Sequence, residues 1–285
     1  MPLYWDLRGM NFAKILLKIE YKYEGGKKYN LLELNKIYNE DCIKENGMCL
    51  IPDESIDMIL CDLPYGTTAC KWDTIIPFEP LWEQYERVIK DNGAIVLFAS
   101  QPFTSVLGAS NLKLLRYSLV WNKRKAGNFA QGNKQPLKIH EDLLVFYKKM
   151  PTYNPQKIQL DKPQTRHLGK ASMNRSDREE AGGLGGEIKY SDNYEPDKKL
   201  PISILEFKKD NYRGNIFHPT QKPVELCEWL VKTYTNEGET VLDNCMGSGT
   251  TAIACLNSNR NYIGFENDEK YFNLANERIK NHRIA

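Results

Sequence analysis

The sequence predicts a doubly wound, mostly parallel α/β sheet. Two observations carry this: short apolar runs alternate with helical patterns, and a glycine-rich turn joins a strand to a helix near the carboxyl end. The buried-strand candidates are residues 36–38, 57–61, 94–99, 117–121, 143–147, 240–242 and 262–265, each bounded by turn residues. Helical patterns fall at 78–90, 103–111, 224–235, 250–257 and 269–280. Pro223 suits the first turn of its helix, where the missing N–H costs nothing. In such sheets ligands bind beyond the carboxyl ends of the strands. The turns after 57–61 and 240–242 are therefore the places to look for chemistry.

Length and composition bound the rest. At 285 residues, 41% hydrophobic and 27% charged, the chain reads as one large globular domain, or one with an insertion. No run of about 18 apolar residues predicts a membrane span. Lys14 and Lys18 interrupt the apolar stretch 12–19, so no secretory signal is expected and the location expected is the cytoplasm. The seven cysteines form no C-x-x-C pair and have no nearby histidine at ligand spacing. They read as reduced thiols, with no metal site.

The net charge of +2 hides an asymmetry. Residues 122–214 hold 19 Lys and Arg against 12 Asp and Glu, a net of +7, which leaves −5 elsewhere. A basic middle inside an acidic frame suggests nucleic acid, against the alternative of a solvated loop region. Residues 150–214 also carry Pro151, Pro155, Pro163, Pro196 and Pro201, a glycine-rich run at 182–186 and scattered tyrosines. They read as a loop-rich insertion. The division expected is an extension over 1–30, a frame half over 31–121, a basic region over 122–214 and a second frame half over 215–285. The extension reads as an added helix or a tail.

The turn after residue 242 reads Asp243-Asn244-Cys245-Met246-Gly247-Ser248-Gly249-Thr250-Thr251-Ala252. Gly247, Gly249 and Ala252 satisfy G-x-G-x-x-G/A, and Glu266 follows at the end of the next strand. The glycines let backbone approach a ligand, and the acid can accept hydrogen bonds from ribose hydroxyls. No lysine follows, which excludes a Walker A loop. The pattern fits both NAD and S-adenosylmethionine. Asp243 favours the second, because a carboxylate there suits an ammonium group rather than a pyrophosphate.

The strand 57–61 ends in Asp62-Leu63-Pro64-Tyr65. An exocyclic amine of a nucleobase is a poor nucleophile, because its lone pair is delocalised into the ring. An acceptor side chain and a backbone carbonyl can each take one N–H and free the lone pair. Asp62 supplies the first, Leu63 the second, and Pro64 fixes the turn. Tyr65 would stack on a base flipped out of the duplex. Alone, such a turn reads as an ordinary surface turn.

Together the two turns resemble the amino-methyltransferases of DNA, which modify adenine N6 or cytosine N4. Residues 62–65 look like that family's catalytic tetrapeptide, 243–251 like its cofactor motif and Glu266 like its ribose acid. Residues 218–223, His-Pro-Thr-Gln-Lys-Pro, look like the stretch preceding that motif in the β branch. The early run 39–42, Asn-Glu-Asp-Cys, also matches. The resemblance implies a mostly parallel seven-stranded sheet, S-adenosylmethionine as cofactor and double-stranded DNA as substrate. It makes 31–121 the catalytic half, 215–285 the cofactor half and the basic insertion the target-recognition element. It implies catalytic roles for Asp62, Leu63, Pro64 and Tyr65. Cofactor contacts are implied for Asp41, Cys42, Thr220, Gln221, Lys222, Asp243, Asn244, Cys245, Met246, Gly247, Ser248, Gly249, Thr250, Glu266 and Asn267.

Two departures stand out. Leu63 replaces the usual Pro, and Asn244 with Cys245 replaces Pro-Phe, which removes an apolar wall. Either Asp or Ser at position 62 could accept the hydrogen bond, but the resemblance, in which members with Asp there mostly modify adenine N6 and those with Ser cytosine N4, implies adenine N6 over cytosine N4. Lys123, Arg124 and Lys125 are candidates for phosphate contact or a solvated strand end. Trp72 and Trp121 read as core residues or base-pocket walls. A homodimer is implied only by the branch. A DNA-binding protein without catalysis and an NAD-dependent oxidoreductase are the remaining readings.

Overall fold

The computed structural model describes residues 21–24, 27–30, 32–68, 73–127, 129–162, 195–209 and 221–284. In chain order the elements are β1 (Tyr21–Glu24), β2 (Lys27–Asn30), β3 (Lys36–Tyr38), β4 (Ile56–Cys61), α1 (Phe78–Val88), β5 (Ile89–Ala99), α2 (Phe103–Ser110), β6 (Leu115–Asn122), β7 (His140–Phe146), β8 (Ile158–Gln159), β9 (Lys198–Lys199), β10 (Ile204–Glu206), α3 (Val224–Tyr234), β11 (Thr240–Asp243), α4 (Thr250–Asn257), β12 (Asn261–Phe265) and α5 (Glu269–Ile284).

The central sheet has the strand order β10-β6-β7-β5-β4-β11-β12-β3. Only β7 runs against its neighbours, pairing antiparallel with both β5 and β6. The sheet is mostly parallel, as expected, but it has eight strands rather than seven. The extra one is β10, parallel to β6 at the edge, with Leu205 opposite Trp121. One buried residue, Leu205, between exposed Ile204 and Glu206 is too short an alternation to read as a strand. Residues 21–30 also depart from the helix or tail expected. β1 and β2 pair antiparallel as a hairpin, in keeping with the tyrosine alternation at 21 and 23.

The strands are apolar because both faces are covered. In β4, Met58 and Leu60 enter one core with Leu226 and Leu230 of α3, Ala252 of α4 and Ala275 of α5. Ile59 and Cys61 enter the other, with Leu81, Trp82, Tyr85 and Val88 of α1 and Phe103 and Leu107 of α2. The result is a three-layer αβα sandwich. Trp121 is fully buried in the first core, whereas Trp72 lies outside the described residues.

This winding creates the site. The chain leaves β4 toward β5 on one side and leaves β11 toward β12 on the other, so the order reverses between β4 and β11. These strands are parallel, with Val241 opposite Met58 and Leu242 opposite Ile59. Asp62, just past β4, Asp243, the last residue of β11, and Glu266, just past β12, therefore share one edge.

Residues 155–202 form a compact unit of their own. Its described part is the antiparallel pair β8–β9, with Glu195 bonded to Lys157 and Lys198. The glycine-rich run 182–186 and the stretch 218–220 lie outside the described residues. No helix among the described residues is long and apolar enough to cross a membrane.

Candidate active site

The carboxyl ends of β4, β11 and β12 open onto a cavity of about 450 Å³. Its walls include residues 41–43, 62–65, 221–222, 243–248, 250–251 and 266–267.

The glycine turn forms one side of the cavity. Gly247 and Gly249 both take positive φ, +53° and +78°, which disfavours residues with a Cβ. At Gly249 a Cβ would also stand 3.2 Å from the Ala275 Cβ of α5. Glu266 braces this turn: one carboxylate oxygen accepts from Gly247 N–H at 2.7 Å, the other from Asp268 N–H at 2.9 Å. Each oxygen keeps a lone pair for a further donor. Arg278 of α5 donates to the Ser248 carbonyl at 3.0 Å and fixes the turn from behind.

Asp243 is buried, and its carboxylate accepts from Cys245 N–H at 3.0 Å. Burial raises its pKa to about 6, against the lowering effect of the Thr251 hydroxyl and that N–H. Glu266 is raised as well, chiefly by burial. Among the described residues neither acid has an ion-pair partner. Two cation-free buried carboxylates fit a ligand that carries positive charge and hydroxyl donors, and suit an anionic pyrophosphate poorly. Asn244 and Cys245 do not leave a gap. Asn244 is buried, accepts from the Tyr85 hydroxyl and reaches the Cys42 sulfur at 3.4 Å, while Cys245 packs on the second core.

The catalytic-turn candidate is held by Asp73. Its Oδ1 accepts from the N–H groups of Tyr65 and Gly66 at 2.7 and 2.8 Å, and its Oδ2 from those of Thr67 and Thr68 at 2.9 and 2.6 Å. Four backbone donors converge on one carboxylate. Burial would raise its pKa, but the Thr68 hydroxyl and the N–H groups of Gly66, Thr68 and Tyr65 together hold it below the usual Asp range. The Leu63 side chain is buried in the second core, and the residue lines the cavity. The Tyr65 ring stacks on Phe103, centroids 5.0 Å apart, and its hydroxyl donates to Asp62 Oδ1 at 2.7 Å.

A line of alternating charges runs inward from Asp62. Lys222 donates to Asp62 Oδ2 and lies 3.3 Å from Glu141 Oε2. Glu141 Oε1 accepts from Lys123 at 3.0 Å. Burial alone would depress Lys222, but Asp62 and Glu141 together hold its pKa above the usual lysine value. Burial raises Asp62, and Lys222 opposes it.

The cavity thus gathers most of the residues singled out from sequence. Gly249 sits behind the wall as the cap of α4, and Thr220 lies outside the described residues. The basic cluster divides: Lys123 points to Glu141, Arg124 pairs with Glu206 and Lys125 is exposed. Asp73, Glu141 and Lys209 also line the cavity and escaped the sequence reading. Glu141 carried a signal, a charge leading into an apolar strand; Asp73 and Lys209 carried none. Lys209 has no ion pair among the described residues, and burial, aided by Lys123 and Lys222, lowers its pKa. No metal-binding cluster occurs among the described residues.

Replacing Asp73 by Ala removes the shared acceptor of four backbone donors. We expect a stability loss of about 1–3 kcal/mol by urea denaturation and at least a tenfold slower turnover, with cofactor affinity retained. Because its folded pKa is lowered, the carboxylate stabilises above the ordinary Asp pKa and loses that effect as pH falls through the folded value. The deficit of the variant should therefore shrink in acid. A deficit independent of pH would contradict this role.

Comparison with known proteins fits this geometry. Residues 56–277 match the family model N6_N4_Mtase, described as DNA methylase. The type II methyltransferase M1.MboII of Moraxella bovis is 25% identical over 267 residues, covering 86% of this chain and 96% of its own. The DNA adenine methyltransferase YhdJ of Escherichia coli K12 is 27% identical over 267 residues, covering 87% and 83%. The solved M1.HpyAVI–SAM complex superposes with a TM-score of 0.56 at 24% identity, covering 86% of this chain and 98% of that one. The cytosine-N4-specific PvuII DNA methyltransferase does so at 0.60 and 14%, covering 88% and 92%. The chain belongs to the N6_N4_Mtase family, the S-adenosylmethionine-dependent DNA methylases of adenine N6 or cytosine N4.

Proposed function

We propose that this protein methylates adenine N6 at a specific site in double-stranded DNA, after flipping the base into the cavity. The observation that carries the reading is Asp62, an acceptor at the cavity wall, on the same sheet edge as the cation-free acids Asp243 and Glu266. Bound S-adenosylmethionine supplies a methyl group on a sulfonium. Asp243 would hold its ammonium end, Glu266 and Asn267 its ribose, and Asp41, Cys42 and Gln221 the remaining wall. Asp62 would accept one N–H of the target amine and the Leu63 carbonyl the other, freeing the nitrogen lone pair. The raised pKa of Asp62 suits it to take the proton that the amine loses after transfer. The Tyr65 ring, braced by Phe103, offers a stacking surface for the base. Lys209, which has no ion pair among the described residues, and exposed Lys125 are suited to phosphates of the flipped strand. Asp at the first position of the tetrapeptide supports adenine, as does the similarity to YhdJ, a DNA adenine methyltransferase.

Two experiments test this. Duplex DNA incubated with the protein and labelled cofactor should yield labelled N6-methyladenosine on digestion. Label in N4-methylcytosine would overturn the base assignment. Asp62→Ala should abolish transfer and leave cofactor affinity near wild type; wild-type turnover would overturn the role of Asp62. Asp243 gives a pH signature. It is ionised above about pH 6 and protonated below, so cofactor affinity should fall as pH drops through 6. Asp243→Asn should bind weakly with a flat profile between pH 5 and 7. An unchanged slope in that variant would contradict the assignment.

A further inference from the structure

Asp62 has both oxygens engaged. The Tyr65 hydroxyl donates to Oδ1 at 2.7 Å, and the Lys222 ammonium donates to Oδ2. A neutral nucleobase amine is a weaker donor than an ammonium, so it cannot displace Lys222 unless that charge has another buried partner. One stands ready. Glu141 Oε2 lies 3.3 Å from the ammonium, is buried, and takes no aligned hydrogen bond. The other Glu141 oxygen is fixed by Lys123 at 3.0 Å, so the carboxylate is held in place and stays charged. The lysine is 92% buried, so solvent is no substitute partner. The ring centroids of Phe98 and Tyr65 lie 5.1 and 5.9 Å from the ammonium and favour a cation between the two acids.

Building on the reading of Asp62 as the amine acceptor, we propose that Lys222 leaves Asp62 for Glu141 when the target amine binds, which makes Glu141 a positioning residue for methyl transfer. Lys222 keeps Asp62 charged until the base arrives. Glu141 then receives the displaced ammonium, so no buried charge is left without a partner at any stage. Lys123 keeps the receiving carboxylate in place throughout.

Single-turnover methyl transfer to duplex DNA, at saturating cofactor and DNA, tests this in five proteins: wild type, Glu141→Gln, Glu141→Asp, Lys222→Met and the Glu141→Gln/Lys222→Met double variant. Circular dichroism and cofactor titration confirm that each is folded. Glu141→Gln should slow transfer at least about tenfold, because Lys222 stays on Asp62, while its cofactor affinity remains within about threefold of wild type. Adding Lys222→Met to Glu141→Gln should restore speed, making the double variant several-fold faster than Glu141→Gln alone. Glu141→Asp, which keeps a carboxylate, should retain more activity than Glu141→Gln. A merely structural role for Glu141 makes the two losses multiply, and a double variant as slow as that product overturns the proposal. So does a fully active Glu141→Gln. A wild-type protein that methylates no DNA amine refutes the function itself; an active wild type with multiplying losses refutes only the transfer of Lys222.

Discussion

Two carboxylates at the ends of adjacent parallel strands, Asp243 buried and Asp62 partly buried, are the constraint to which the rest of the site responds. The pairing of β4 with β11 at the point where the winding reverses brings the strand ends carrying Asp62 and Asp243 to one edge. Like charges brought together out of water raise each other's pKa unless something answers them. The protein answers each differently. Asp62 receives an ammonium from Lys222 and a hydroxyl from Tyr65. Among the described residues Asp243 receives only neutral donors, and burial raises its pKa to about 6. The first acid is compensated from within, and the second suits a cation supplied by a ligand. That division separates the proposed catalytic side from the proposed cofactor side of one cavity.

Both turns are braced by acids that take no part in the proposed bond-making. Asp73 collects four N–H groups of residues 65–68, and Glu266 takes the N–H of Gly247. Loops at strand ends carry many unpaired backbone donors. A single carboxylate that gathers several of them holds the turn in one conformation without a bulky core of its own. Glu266 is proposed to do two jobs, since each of its oxygens keeps a lone pair that a ribose hydroxyl could use.

Much of the frame was legible because burial on both faces leaves a strong apolar signature. The strand at 36–38 and the helix at 250–257 match the expected limits, and the other strands shift by a few residues. β10 was not legible, because three residues with one buried side chain carry no periodicity. The two motif turns were legible because glycine, proline and acid must stand at fixed places in them. The charge chain was not. Lys222 and Glu141 stand 81 positions apart, and only the antiparallel placement of β7 between β5 and β6 brings Glu141 to the cavity. The Lys123 case shows the same limit: it read as a surface cation, yet the fold turns it toward Glu141.

A crystal structure with duplex DNA and a non-reactive analogue of S-adenosylmethionine would test the central claim most directly. The target adenine N6 should lie within about 2.6–3.2 Å of Asp62, with Lys222 bonded to Glu141. A flipped base whose amine contacts neither Asp62 nor the Leu63 carbonyl, with Lys222 still on Asp62, would contradict it.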